Sequence, residues 1–210
     1  MEDKNLIYWN KQISGKDDIT PKNNEWISNY DEYLMKDPSV PVIELGIGWG
    51  NDTALLLSKG LTVKGCDFSP ESIKIIEKFY PQVEVKLHNL RDGVPYEDNS
   101  ANVVLGDLSL HYFVRKDLFN ILDGIKRVLK PGGVLLCRVN SANATNYGMG
   151  EGEELEDHVF DTTSGTKMFF NEDVIKEVFK DWDILHMEEY TVGRFEKPKL
   201  LWEVALKVRK

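Results

Sequence analysis

The sequence predicts an α/β fold in which a mostly parallel sheet is wound on both faces by helices. Short apolar runs alternate along the chain with stretches of helical period, the pattern of fully buried strands linked by crossover helices. A second observation is the first such run, Val42-Ile43-Glu44-Leu45, which passes directly into Gly46-Ile47-Gly48-Trp49-Gly50 and a helix opening at Asn51. Glycine at a strand-to-helix turn adopts angles closed to other residues and lets a ligand approach the backbone. The helix behind it presents unpaired N–H groups. This stretch reads as a nucleotide or nucleoside grip.

Composition bounds the possibilities. With 210 residues, 41% hydrophobic and 29% charged, the chain can bury the core of one α/β domain and carries no signature of disorder. Its formal net charge of −9 argues against a nucleic-acid or anionic-membrane partner, since phosphate binding needs clustered Lys and Arg. Cys66 and Cys137 fall in strand-like runs and read as buried thiols, without the ligand spacing of a metal site. No signal peptide or membrane-spanning run is visible, so a cytoplasmic protein is expected.

In chain order, residues 1–36 suggest a helical cap. Leu6, Ile7, Trp9 and Ile13 share one helical face, and Trp26, Ile27, Tyr30, Tyr33 and Leu34 recur at helical spacing. Asp37-Pro38-Ser39 breaks the chain before the first core strand. Leu61 to Cys66 is the second strand, followed by Asp67 and a helix with Ser69 as N-cap and Pro70 in its first turn. Val83 to Leu87 alternates and reads as an outer strand; Ala101 to Leu105 reads as a buried fourth. Val114, Leu118, Ile121, Leu122, Ile125, Val128 and Leu129 trace one helical stripe, which Pro131-Gly132-Gly133 should stop before a fifth strand at Val134 to Cys137.

Residues 37–140 thus form the core. Residues 141–170 are a possible lid over the substrate, since Glu151 to Asp161 holds six carboxylates and no Lys or Arg. A solvated face explains that charge run equally well. Residues 171–210 close the fold, with Asn171 capping a helix and Trp182 to Val192 and Leu200 to Val208 as strands.

The dinucleotide fingerprint G-x-G-x-x-G does not fit the first turn, because Gly50 comes one residue early and Asn51 holds the third-glycine position. Glu44-Leu45-Gly46-Ile47-Gly48-Trp49-Gly50, Asp67-Phe68-Ser69, the Asp92 to Ser100 loop before Asn102-Val103-Val104, and Arg127-Val128-Leu129-Lys130-Pro131-Gly132-Gly133 together resemble the ordered motifs of class I S-adenosylmethionine (AdoMet) methyltransferases. The resemblance covers about residues 40–140. It implies a doubly wound, mostly parallel seven-stranded sheet with an antiparallel C-terminal hairpin, and AdoMet as cofactor. The C-terminal part loosely resembles bacterial small-molecule enzymes, the thiopurine and tellurite methyltransferases among them.

Roles follow from the resemblance. Gly46 and Gly48 would meet the methionine portion, with Glu44 fixing the loop. Asp67 would accept from the ribose hydroxyls and Phe68 would face the adenine; as a ribose acceptor alone, Asp67 would matter for binding and not for stability. Asn89, where the family has an acidic residue, would accept from the adenine amino group beside Leu90. Asp107 and Leu108 would border the methionine, and Trp9 would approach the cofactor if the N-terminal segment folds over it. His111 and Tyr147, at strand ends, are the acceptor-side candidates, each with packing as the alternative. The expected reaction is methyl transfer to a small molecule, with no metal. A non-catalytic AdoMet-binding module and an NAD-dependent oxidoreductase are the alternatives.

Overall fold

The computed structural model describes residues 3–14, 25–193 and 195–210, so residues 1–2 and 15–24 of the expected N-terminal cap lie outside it. Helix α1 (Lys4–Ile13) starts at Asp3, whose carboxylate accepts from the Asn5 N–H at 2.9 Å. A tight turn over Glu25–Tyr30 leads into α2 (Asp31–Leu34). Strands and helices then alternate: β1 (Val42–Leu45), α3 (Asn51–Ser58), β2 (Val63–Asp67), α4 (Pro70–Phe79), β3 (Glu84–Leu87), β4 (Ala101–Asp107), α5 (Arg115–Val128) and β5 (Leu129–Asn140). Three short strands follow, β6 (Glu153–Glu156), β7 (Val159–Thr162) and β8 (Gly165–Met168), then α6 (Glu172–Val178), β9 (Trp182–Val192) and β10 (Lys199–Val208).

The main sheet has seven strands in the order β3-β2-β1-β4-β5-β10-β9. β1 to β5 run parallel, while β10 is antiparallel to both β5 and β9. Neighbouring residues on its strands serve opposite faces. Ile43, Leu45 and Val104 pack with the α5 stripe of Leu118, Ile121, Leu122 and Ile125; Val42, Val63, Val103 and Leu105 pack with Leu56, Ile76, Trp26 and Ile27. Both faces are covered, which explains the continuous apolar runs. β1 and β4 leave the sheet's centre in opposite directions of winding, and a ligand crevice belongs at the carboxyl end of such a switch point.

The structure corrects two sequence expectations. Pro131-Gly132-Gly133 does not separate helix from strand: α5 ends at Val128 and β5 begins at Leu129, which pairs with Ala101. Gly132 takes φ +75° and the register shifts there, so the ladder absorbs the turn. The acidic segment is not a plain loop but an antiparallel sheet of β6, β7 and β8. Its strands escaped notice because Glu153, Glu154 and Leu155 are exposed, leaving no apolar alternation to read.

That small sheet is fastened to the rest of the fold. Asn5, 3% exposed, donates to the Thr166 carbonyl at 3.1 Å and accepts from the Thr166 N–H at 3.0 Å. Such buried neutral hydrogen bonds are worth about 1 kcal/mol each. Lys4 pairs with Asp161 at 2.6 Å in an exposed ion pair, and the Arg115 N–H at the start of α5 donates to Glu156 at 3.1 Å. Exposed pairs of this kind add little, so the Asn5 exchange is the firmer tie.

Candidate functional site

The glycine turn after β1 is built from left-handed backbone. Gly46 has φ +73° and Gly48 φ +51°. A β-carbon at Gly46 would fall 2.5 Å from the Ser109 β-carbon, so this position brings the β1 and β4 ends together. At Gly48 the nearest atom is a carbonyl oxygen 3.8 Å away, which leaves a cradle that any side chain would fill. Gly50, φ +72°, is the N-cap of α3.

The cradle belongs to a cavity of about 600 Å³ at the carboxyl edge of the sheet. That is within the roughly 300–1,000 Å³ of small-ligand sites. Gly46, Gly48, Glu44, Asp67, Phe68, Asn89, Leu90, Asp107, Leu108 and Trp9 all line it. Residues spread over five elements therefore converge on one space.

Asp67 is 7% exposed and holds the turn itself: one carboxylate oxygen accepts from the Gly48 N–H at 2.9 Å and the other from the Ser69 N–H at 2.9 Å. Burial raises its pKa, and these two backbone bonds oppose the rise. The expectation that Asp67 matters to binding alone is therefore corrected: it also satisfies two backbone donors.

Glu44 is 3% exposed and accepts from the Thr53 hydroxyl at 2.6 Å, tying β1 to α3. Burial raises its pKa well above the carboxylate norm, and the negative charge of Asp52 adds to this. A carboxyl group whose pKa is higher in the folded state stabilises that state below its unfolded pKa and loses the contribution as pH rises through the folded value. Glu44→Gln should therefore raise the thermal midpoint of the ligand-free protein at pH 8. The gain should vanish near pH 4, where both forms are neutral; scanning calorimetry across that range checks it.

At the β3 end, Asn89 caps a short helical turn (Leu90–Asp92), its side-chain oxygen accepting from the Arg91 N–H at 3.0 Å. That oxygen keeps a second lone pair for a ligand donor. Leu90 is buried beneath the turn. At the β4 end the Asp107 carboxylate is gripped by Arg138, at 2.7 Å from Nε and 2.8 Å from Nη2. Arg138 is 1% exposed and lies 4.7 Å from the Trp26 ring centroid. Burial works against its charge, but Asp107 together with Tyr190 and Asp52 outweighs burial and raises its pKa. Leu108 follows in left-handed backbone, φ +52°, its N–H bonded to the Arg138 carbonyl at 3.0 Å. Non-glycine residues held there store strain, commonly at functional sites.

α1 closes the cavity from above. Tyr8 and Trp9 line it together with Asn5, Gln12 and Ile13. Asn10 accepts from the Ser69 hydroxyl at 2.6 Å, and Asp3 pairs with Arg91 at 2.7 Å.

The two acceptor-side candidates lie outside this lining. His111 is fully buried, its carbonyl accepts from the Met168 N–H at 2.7 Å, and neither ring nitrogen has a hydrogen-bond partner among the described residues. Burial, with the charges of Lys199 and Lys167, lowers its pKa well below the histidine norm and keeps it neutral. Tyr147 turns to the β9–β10 connection, its hydroxyl donating to the Lys197 carbonyl at 2.5 Å. Both are displaced because the chain after β4 and β5 folds back onto β8 and that connection.

Several residues of the site went unnoticed in the sequence. Tyr112 and Ser109 line the cavity beside Leu108, Phe195 reaches it from beyond β9, and Trp26 donates to Asp52 at 3.1 Å. Arg138 alone left a signal, as a lone charge inside an apolar run. Among the described residues no His, Cys, Asp and Glu cluster is arranged to hold a metal, and no helix is long and apolar enough to cross a membrane.

Comparison with known proteins agrees with this geometry. Residues 43–137 match the family described as a methyltransferase domain. An uncharacterized methyltransferase of Synechocystis is 32% identical over 103 residues, 49% of this chain and 48% of the relative. A Drosophila melanogaster tRNA N(3)-methylcytidine methyltransferase is 26% identical over 182 residues, covering 78% of this chain and 56% of its own. The chain thus spans about half the length of the curated relatives it matches. A SAM-dependent methyltransferase of Methanosarcina mazei superposes with a TM-score of 0.74 at 19% identity, over 89% of this chain and 98% of its own.

Proposed function

We propose that this chain is a class I AdoMet-dependent methyltransferase that transfers the sulfonium methyl group to a small-molecule acceptor held beneath α1, a reading the fold and the domain match support. The observation that carries the reading is the convergence of the open Gly48 cradle, Asp67 and the Asn89–Leu90 turn on one cavity. The cradle admits a ligand against backbone, and the carboxylate and the turn supply polar groups at one end of the same space. The residues present fit the cofactor.

When bound, AdoMet supplies an already activated methyl group, so the protein's work is alignment and exclusion of water. Gly46 and Gly48 give the ligand backbone contact. Asp67 rigidifies that turn while facing the cavity. Arg138 fixes Asp107 and Leu108 at the β4 exit, and α1 shields the space from solvent. His111 and Tyr147, off the lining, are left as supports of the acceptor-side loops.

A small acceptor is favoured by the aromatic-lined cavity under α1 and by the net charge of −9, which opposes a polyanion. The likeness to the Drosophila tRNA enzyme favours a second reading, RNA as acceptor. Transfer of labelled methyl from AdoMet, assayed on a panel of small amines, thiols, phenols and carboxylic acids and on tRNA transcripts, separates the two. The proposal expects label in the small-molecule fraction; label confined to tRNA overturns it. AdoMet binding without transfer to either class would favour the non-catalytic module.

A further inference from the structure

We propose that Trp9, Tyr8 and Tyr112 form an aromatic cage for the positive charge of the methyl donor, so that the site holds charged AdoMet in preference to its neutral product, S-adenosylhomocysteine (AdoHcy). The inference rests on the AdoMet-binding reading above. Trp9 meets Tyr8 edge to face, centroids 5.4 Å apart at 83°, and meets Tyr112 at 6.0 Å and 87°. All three residues line the cavity, so two near-perpendicular ring pairs gather at one part of its wall, with His111 packed 4.3 Å from Tyr112 on the side away from the lining. The electron-rich faces of Trp and Tyr attract a cation within about 6 Å.

Topology places that part of the wall. Asn10, next to Trp9, is tied to Ser69 just past β2, whereas Tyr112 follows β4. β1 lies between β2 and β4 in the sheet, so Trp9 bridges the space over the Gly46–Gly48 turn. A ligand with its nucleoside toward β2 and β3 and its amino-acid end toward β4 must carry the sulfur joining them through this middle position.

The charge of the lining agrees. Glu44, Asp52, Asp67 and Asp107 face the cavity, and its one arginine, Arg91, is engaged by Asp3 at 2.7 Å and Asp117 at 3.3 Å. Burial favours the neutral form of Glu44, so the lining sets carboxyl groups around the space and offers no unengaged arginine among its described residues to repel a cation. Methyl transfer removes the sulfonium charge, so a cage of this kind weakens its hold on the ligand at the moment of turnover and favours product release.

Titration calorimetry on the full chain tests this with AdoMet, AdoHcy and sinefungin, whose protonated amine stands in for the sulfonium. Trp9→Leu should lose about ten-fold more affinity for AdoMet and sinefungin than for AdoHcy. Trp9→Phe, which keeps a ring, should restore most of the difference, and Tyr112→Leu should repeat the selective loss. Equal losses for charged and neutral ligands, or none, overturn the cage and leave the binding site standing. Failure of the unaltered protein to bind any of the three overturns the site reading itself, and the cage with it.

Discussion

Gly48→Val is expected to weaken AdoHcy binding sharply while the protein stays folded. The residue sits in left-handed backbone at φ +51°, and a β-carbon there projects into open cavity. The branched side chain would occupy the cradle, and overfilling a fitted space costs about 1–3 kcal/mol even where the surroundings can yield. Backbone strain at the same position adds about 1–2 kcal/mol to the cost of holding the turn. The strain is read as lost stability, and the filled cradle alone predicts an affinity loss of about ten- to a hundred-fold by calorimetry. Gly60→Val is the control. It carries the same left-handed strain at φ +79° with nothing within 4 Å, so it should lose stability without losing ligand.

Asp67→Ala should damage stability and binding together. The buried Ser69 N–H and the part-buried Gly48 N–H lose their acceptor; the buried donor left unsatisfied costs about 1–3 kcal/mol, and the one at the cavity wall less. A lower thermal midpoint in the ligand-free protein is therefore expected alongside weaker AdoHcy binding. Asp67→Asn retains one acceptor oxygen and should fall between the two. A ligand-free midpoint equal to that of the unaltered protein would show that the carboxylate does not hold the turn.

Part of this architecture is written locally in the sequence and part is set by distant partners. β1, its glycine turn and the Ser69-capped α4 were legible because local chemistry determines each: a buried strand needs an apolar run, and a left-handed turn needs glycine. Ser69 does accept from the Ser72 N–H, as its position implied. What escaped was set by distant partners. β6 has no apolar face and exists through pairing with β7, and Arg138 finds Asp107 only once β4 and β5 are aligned. His111 stands two residues from cavity-lining Ser109, yet the fold turns it inward, a distinction no spacing rule carries. Asp67 was legible as a carboxylate facing a ligand; its second duty toward the backbone appeared only in three dimensions.

The central claim is that the cavity over the Gly46–Gly48 turn is built for AdoMet and its product. Titration calorimetry of the full chain with AdoHcy and, separately, with NAD tests it most directly. Saturable one-to-one binding of AdoHcy, with NAD at least about a hundred-fold weaker, is the predicted result. NAD binding at comparable or greater affinity, with none for AdoHcy, would contradict it.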